Sequence, residues 1–182
     1  MEKNIRCFVA LDLPYSIIEE AKTIQADIKK HDLIIGNYTK PENIHLTLKF
    51  LAEIPEEEID EVKEALREVK AKSFEAAVDE LGVFSPEFAR IIWLHLNGQE
   101  VLDLQKTIDE SLVKYFPKEQ RFQSHITIAR VHNLKSKEEL LNYVKSFKVN
   151  ETRGKILSFS LMKSTLTAQG SVFEVIERYE LN

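Results

Sequence analysis

Two short stretches of the sequence each place a histidine two positions before a threonine. The tetrad at residues 45–48 reads His-Leu-Thr-Leu, and the tetrad at residues 125–128, 80 positions later, reads His-Ile-Thr-Ile. Imidazoles exchange protons near neutral pH, and threonine hydroxyls can donate hydrogen bonds to phosphate oxygens that gain negative charge. Together these side chains predict acid–base cleavage of a phosphate ester, in which one imidazole activates water, the other protonates the leaving oxygen, and no metal is needed. The candidate catalytic residues are His45, Thr47, His125 and Thr127.

The aliphatic residues of the tetrads indicate how the strands would be oriented. In a β-strand, residues two apart share a face and lie roughly 6.6 Å apart along the chain. Each tetrad therefore presents its histidine and threonine on one face and its two aliphatic residues on the other, where they would pack against a helix. These aliphatic residues, which belong to the candidate site as motif positions only, are Leu46, Leu48, Ile126 and Ile128.

The elements that must position the tetrads recur along the chain. Strands are predicted at residues 5–11, 34–39, 44–51, 74–83, 89–96, 124–131, 155–163 and 171–181, and helices at residues 14–30, 55–70, 99–116 and 136–147. The order of apolar strand, helix, histidine-bearing strand, helix and strand begins at residue 5 and again at residue 89. Such a repeat predicts an internal duplication. We expect one two-lobed domain over residues 1–182, with approximate halves 1–88 and 89–182, terminal strands able to cross between lobes, and both tetrads facing one cleft.

Composition restricts the possible partners and locations. The chain has 182 residues, 43% of them hydrophobic, and a net charge of −5, which disfavours an extended RNA-coating surface but allows a phosphorylated group in a local pocket. The single Cys7 cannot form an internal disulfide. Met1–Lys3 leads directly into a strand, and no apolar run approaches membrane-spanning length. We therefore expect no signal peptide, no membrane contact, a cytoplasmic location and a monomer.

The tetrads and the segments around them resemble a known family. The segments read RCFVALDLP at residues 6–14, ENIHLTLKFL at 42–51, GVFSPEFARIIW at 82–93, SHITIARV at 124–131 and KSTLTAQGSVFEVIERYEL at 163–181. They resemble the 2H phosphoesterase superfamily, which has two HxTx motifs, and within it the archaeal-type RNA 2′,3′-cyclic phosphodiesterases, also called 2′-5′ RNA ligases. The resemblance implies a bilobal α+β fold with a pseudo-two-fold axis, in which two mostly antiparallel sheets flank a central cleft and helices lie outside.

The resemblance also implies an activity. Members hydrolyse RNA 2′,3′-cyclic phosphate ends to 2′-phosphates without metal or cofactor, and catalyse a weaker, reversible 2′-5′ ligation. The implied partner is RNA with such ends, including tRNA halves. By the same resemblance His45 donates the proton to the leaving O3′ and His125 accepts the proton of water, although spacing alone leaves these roles interchangeable. Two departures are Ser124, where the family often has proline, and Ala52, where it has glycine.

Two basic residues near the tetrads are candidates for substrate binding. Arg130 matches an arginine of the family and could neutralise phosphate. In an ideal strand it shares the face of Ile126 and Ile128, so a bulge would be needed to bring it to the cleft. Lys49 shares the face of His45 in an ideal strand and could reach the RNA backbone. For both residues a plain surface role is the alternative.

Four further side chains have a structural interpretation as the alternative to a functional one. Phe84 and Trp93 could stack a base, but packing in the core is favoured for each. His95 shares a face with Trp93 and is expected to be structural or exposed. His31, in the last turn of a helix, would complement the helix dipole.

Two other functions compete with the phosphodiesterase. A non-catalytic nucleotide-binding module would use the same cleft, although it would not need both histidines and both threonines. A metallohydrolase is disfavoured because neither tetrad has Asp, Glu or His ligands nearby at the usual spacings.

Overall fold

The computed structural model describes residues 4–168 and 170–182. Its strands are β1 (Asn4–Leu11), β2 (Ile34–Tyr38), β3 (Leu46–Pro55), β4 (Phe74–Phe84), β5 (Ile91–Asn97), β6 (His125–Leu134), β7 (Arg153–Ile156), β8 (Ser158–Thr167) and β9 (Gly170–Glu180). Its helices are α1 (Tyr15–His31), α2 (Ile59–Arg67), α3 (Gln99–Ser111) and α4 (Lys137–Ser146). The expectation of no signal peptide at Met1–Lys3 concerns residues outside the described ranges, and Gln169 lies outside them as well.

The strands form one antiparallel sheet that divides into two groups. Its order is β7-β4-β5-β6-β3-β1-β8-β9, and β2 pairs with β6. Within the described residues, β3 and β6 are joined by the single pair Leu46 and Ile126. The first group contains β1, β3, β8 and β9, and the second contains β2 and β4 to β7. The predicted α+β class with mostly antiparallel strands is confirmed, and the two predicted sheets correspond to two strand groups of one sheet, continuous at this pair.

Each group takes strands from both halves of the chain. β2 and β4 precede residue 89, yet they pair with β6 and β5 of the second group. β8 comes from the second half and pairs with β1 of the first group. The division into halves 1–88 and 89–182, with terminal strands that cross between lobes, stays a prediction about duplication.

The core lies on the side of the sheet that the helices cover. Residues at helical spacing on α1, among them Ile17, Ile24 and Ile28, are at most 1% exposed. The four aliphatic tetrad residues are also at most 1% exposed, so they point to this side as expected: Leu46, Leu48, Ile126 and Ile128. Burial of an aliphatic side chain of this size stabilises the fold by about 1.5–3 kcal/mol. Packing on the helix-covered side therefore holds the tetrads in place.

Most element boundaries differ from the sequence prediction by a few residues, and three regions are instructive. β3 continues to Pro55 and a 3₁₀ turn follows, so α2 begins at Ile59. α3 ends at Ser111, and residues 112–116 form turns. The strand predicted at residues 155–163 is two strands, because β7 pairs with β4 and β8 pairs with β1. The chain passes between the two groups at Leu157, which is 51% exposed.

None of the described helices is both long and apolar enough to cross a bilayer.

Candidate active site

A bulge in β6 turns Arg130 toward the face that carries the histidines. In the pairing of β5 with β6, Trp93 lies opposite Thr127 and the next pair begins at Ala129, so Ile128 is an extra residue. An extra residue reverses the alternation of faces beyond it. Arg130 therefore lines the cavity beside the tetrads, in the orientation for which the sequence required a bulge.

A matching bulge occurs at the equivalent point of β3. In the pairing of β1 with β3, Ala10 lies opposite Thr47 and the next pair begins at Lys49, so Leu48 is the extra residue. Phe50, two residues after Leu48, occupies the position equivalent to Arg130 and lines the same cavity. The two strands are thus equivalent in geometry, while only β6 supplies a guanidinium.

The predicted orientation of Lys49 is wrong. The bulge turns this side chain to the helix-covered side, where it is only 4% exposed. Its Nζ donates to the carboxylate of Asp109 and, at 2.8 Å, to the carbonyl oxygen of Pro117. Lys49 is therefore held in a buried ion pair and does not line the cavity among the residues that the structure describes. Removal of one partner of such a buried ion pair destabilises the fold, because the other charge stays buried without compensation.

The ring of His45 is fixed by its neighbours. Its Nδ1 lies 2.7 Å from the carbonyl oxygen of Asn43, and its Nε2 lies 3.1 Å from Oγ1 of Thr47. Because a carbonyl only accepts, Nδ1 carries the hydrogen, and in the neutral ring Nε2 accepts from the threonine hydroxyl. Phe8 and Phe173 pack on the ring with centroid distances of 5.0 Å and 5.1 Å. Nε2 is thus the atom that is left for proton transfer.

His125 is held in the same way. Its Nδ1 lies 2.8 Å from the carbonyl oxygen of Gln123, again two residues earlier. This bond places the hydrogen on Nδ1 and leaves Nε2 for chemistry. The ring of Phe84 meets it edge to face, with centroids 4.8 Å apart and an interplanar angle of 81°. Both histidines therefore have the same tautomer and one fixed ring orientation.

The two histidines and two threonines line one cavity of about 1070 Å³. This volume is large enough for a nucleotide. Four cationic side chains line it as well: Arg6, Lys29, Lys40 and Arg130. None of its described lining residues is acidic. A cavity lined by one sign of charge attracts the opposite charge. The site is therefore suited to a phosphate, although the chain has a net charge of −5.

Both histidines have lowered pKa values in the free protein. Burial lowers the pKa of His45, the bond to Asn43 opposes this, and positive charge on His125 and Arg130 lowers it further. Burial also lowers the pKa of His125, with the same opposing effect from Gln123 and a further decrease from Arg130. Both rings are therefore mostly neutral at pH 7, and a bound phosphate anion would raise both pKa values.

Gln25 on α1 supports the bulge that orients Arg130. Its buried Nε2 donates to the carbonyl oxygen of Ile128 at 2.7 Å and to that of Thr39 at 2.8 Å. The same Ile128 carbonyl accepts from the backbone N–H of Thr39 at 2.9 Å. The extra residue of β6 thus has its backbone fixed by a helix and by the segment after β2.

Sequence and structure comparisons place the chain among known proteins. The family model described as "LigT like Phosphoesterase" matches residues 11–93. An RNA 2′,3′-cyclic phosphodiesterase of Methanocaldococcus jannaschii is 30% identical over 178 residues, which cover 96% of this chain and 100% of the relative. One from Archaeoglobus fulgidus is 30% identical over 182 residues, covering 97% and 100%. The chain belongs to the LigT-like phosphoesterase family.

A solved structure of the LigT-like fold agrees with this assignment. The apo form of E. coli LigT superimposes with a TM-score of 0.80 at 20% identity, covering 100% of this chain and 99% of that one. The agreement concerns the fold. In this LigT-like phosphoesterase the tetrads lie near the single β3–β6 pair, where the two strand groups meet.

Several residues of the LigT-like site were missed by sequence reasoning. Phe8 and Phe173 hold the ring of His45, but single aromatic residues in strands carry no chemical signature of their own. Gln25 had a signal that went unused: a second buried glutamine, Gln105, follows 80 positions later, the same spacing as the tetrads.

The prediction of core packing for Phe84 and Trp93 is wrong. Both are half-buried. With His125 they line a second cavity of about 330 Å³. Their rings lie 5.4 Å apart. The preference of large aromatic residues for the interior misled the prediction, because these two lie on the sheet face that carries the histidines.

The remaining sequence candidates lie outside the main cavity. Nδ1 of His95 bonds to Asp79 at 2.7 Å, and Nδ1 of His31 bonds to the carbonyl oxygen of Asp27 in the last turns of α1. Among the described residues, no group of three or more His, Cys, Asp or Glu side chains is placed to hold a metal. Ala52, which stands where the family has glycine, has a left-handed backbone with φ of 58°.

Proposed function

We propose that this protein hydrolyses RNA 2′,3′-cyclic phosphate ends to 2′-phosphates, by acid–base catalysis with two histidines. The observation that carries the proposal is the pair of imidazoles on one cation-lined cavity, each with Nδ1 bonded to the carbonyl oxygen two residues earlier. Two full-length relatives named RNA 2′,3′-cyclic phosphodiesterase support the choice of substrate.

The proposed reaction uses the two Nε2 atoms on opposite sides of phosphorus. Neutral His125 takes a proton from water as the water oxygen attacks phosphorus. The bond from phosphorus to O3′ breaks, and protonated His45 gives its Nε2 proton to O3′. The product carries a 2′-phosphate and a 3′-hydroxyl. This assignment of acid and base follows the family resemblance, and positioned acid–base catalysis contributes on the order of 10²–10⁴-fold.

The remaining polar groups of the cavity stabilise the charge that develops on the phosphate. The hydroxyls of Thr47 and Thr127 donate to the non-bridging oxygens. In the free protein the Thr47 hydroxyl donates to Nε2 of His45. Arg130 lines the same cavity, and its guanidinium can bind two phosphate oxygens. All of these groups come from one chain, so we further propose that the protein acts as a monomer. From the family resemblance we also propose tRNA halves among its substrates and the cytoplasm as its location.

The experiment is turnover of a dinucleotide with a 2′,3′-cyclic phosphate end, in the presence of excess chelator. We expect release of the 2′-phosphate product by the wild type and loss of nearly all turnover in His45→Ala and in His125→Ala. His132→Ala is the matched control, because His132 is exposed and lies outside the cavity. Binding without turnover in the wild type would instead indicate the nucleotide-binding module, and activity abolished by chelator would indicate a metal-dependent reaction.

A further inference from the structure

A second cavity adjoins His125. Its volume of about 330 Å³ is far smaller than that of the main cavity, and His125 lines both. Phe84, which meets His125 edge to face, lines the second cavity and is not among the described lining residues of the main one. A group bound in the second cavity would therefore lie close to the atom that His125 activates.

Glycine at position 82 makes room for the aromatic wall of this cavity. A Cβ at Gly82 would lie 2.2 Å from the indole ring of Trp93, its partner on β5. The indole therefore lies directly against the backbone of β4, in a position that any larger residue would prevent. Phe122 adds a third aromatic ring to the lining. Flat, uncharged rings are the natural ligands of such walls.

The charge of the second cavity differs from that of the main cavity. Among its described lining residues there is no lysine or arginine, and the exposed Glu80 contributes a carboxylate at the rim. A phosphate group is disfavoured there, whereas the amino groups of a nucleobase can donate to the carboxylate. The cavity is thus suited to a neutral base and the main cavity to the phosphate.

We propose that the second cavity binds the base of a second nucleoside, whose 5′-hydroxyl takes the position of the attacking water beside His125. The 2′-5′ ligation itself is what the family resemblance implies; the inference is the place of its acceptor base, and it rests on the proposed function. In the step, the 5′-oxygen forms a bond to phosphorus while the bond from phosphorus to O3′ breaks. His125 takes the proton of the 5′-hydroxyl and His45 protonates O3′, so the product is a 2′-5′ diester.

Trp93 is the only tryptophan of the chain, so its fluorescence reports directly on this cavity. We expect adenosine to quench it saturably, and inorganic phosphate, which binds in the main cavity, to leave it nearly unchanged. The matched control is the double variant Trp93→Phe with Phe88→Trp, which moves the fluorophore to an exposed site outside both cavities. Equal quenching in this control, or none in the wild type, would overturn the base site.

Product partition tests the transfer step. With cytidine 2′,3′-cyclic phosphate and adenosine, we expect cytidylyl-2′-5′-adenosine beside cytidine 2′-phosphate. Trp93→Leu should lower the ratio of diester to hydrolysis product roughly tenfold, the effect of losing one stacking surface. Hydrolysis with no diester, or a ratio that Trp93→Leu leaves unchanged, refutes the acceptor site alone. Absence of hydrolysis without adenosine refutes the proposed function, and the fluorescence result still decides whether the cavity binds a base.

Discussion

Replacement of Gln25 by methionine tests whether the bulge of β6 depends on its contact with α1. The side chain is 5% exposed and donates from Nε2 to the carbonyl oxygens of Thr39 and Ile128. Methionine has a similar volume and no hydrogen-bond donor, so packing is largely retained while both bonds are lost. Gln105→Met is the matched control, because Gln105 is 7% exposed on α3 and its Nε2 has no hydrogen-bond partner among the described residues.

The two substitutions should change the free energy of unfolding differently, with a decrease for Gln25→Met and little change or an increase for Gln105→Met. Each lost bond of Gln25 contributes about 0.5–1.5 kcal/mol, and a buried carbonyl left without a partner costs about 1–3 kcal/mol. The carbonyl of the half-buried Thr39 loses a side-chain donor, but this residue lines the open cavity, and the carbonyl of Ile128 keeps the backbone N–H of Thr39. Gln25→Met should therefore lower the free energy of unfolding by about 1–3 kcal/mol, the sum of the two lost bonds. Gln105→Met removes a buried amide without a donor contact and should be neutral or stabilising by up to about 1 kcal/mol.

Urea denaturation of the wild type and both variants measures these differences, and steady-state kinetics measures their effect on the site. Because the bulge orients Arg130, Gln25→Met should also raise KM for the cyclic phosphate, while Gln105→Met should leave KM unchanged. Equal loss of stability in the two variants, or an unchanged KM in a folded Gln25→Met, would refute the proposed support of the bulge.

Three further predictions concern pH, the buried ion pair and the strained turn. Burial lowers the pKa of both His45 and His125, so the histidine that acts as the acid loses its proton at a lower pH than a free imidazole. We therefore expect kcat/KM to fall as pH rises above about 6.5, and a plateau to pH 8 would contradict this. Lys49→Met removes the cation beside the buried carboxylate of Asp109, which keeps the backbone N–H of Glu119 as a donor, and should lower the free energy of unfolding in urea by about 3–5 kcal/mol. The double variant with Asp109→Leu should recover most of this loss, and no recovery would speak against the ion pair. Ala52→Gly at φ of 58° should raise the free energy of unfolding, and with it the urea midpoint, by roughly 0.5–1 kcal/mol of relieved strain net of chain entropy; a lower midpoint would refute the strain.

Local sequence pattern predicted most of the elements and the direction of the tetrads. Alternation of polar and aliphatic residues at 45–48 and 125–128 is a property of the strand itself, and burial of the aliphatic residues followed from it. The spacing of 80 residues between the tetrads predicted that both would face one cavity, where the structure has them.

The bulges could not be predicted from the strands alone. Whether Leu48 and Ile128 are extra residues depends on the register with β1 and β5, which no local pattern encodes. For this reason Lys49 was given the wrong face, and the orientation of Arg130 was left open. The division of the strand at Leu157 has a similar cause, since it reflects pairing with two distant strands.

The central claim is that the imidazoles of His45 and His125 both face one bound phosphate. Titration of the histidine ring protons by NMR, with and without inorganic phosphate, tests it most directly, with the exposed His132 as the internal control. We predict that both cavity imidazoles titrate below pH 6.5 in the free protein and that phosphate raises both pKa values, because an anion within hydrogen-bond reach favours each charged ring. A phosphate-induced increase in only one of the two pKa values would contradict the account.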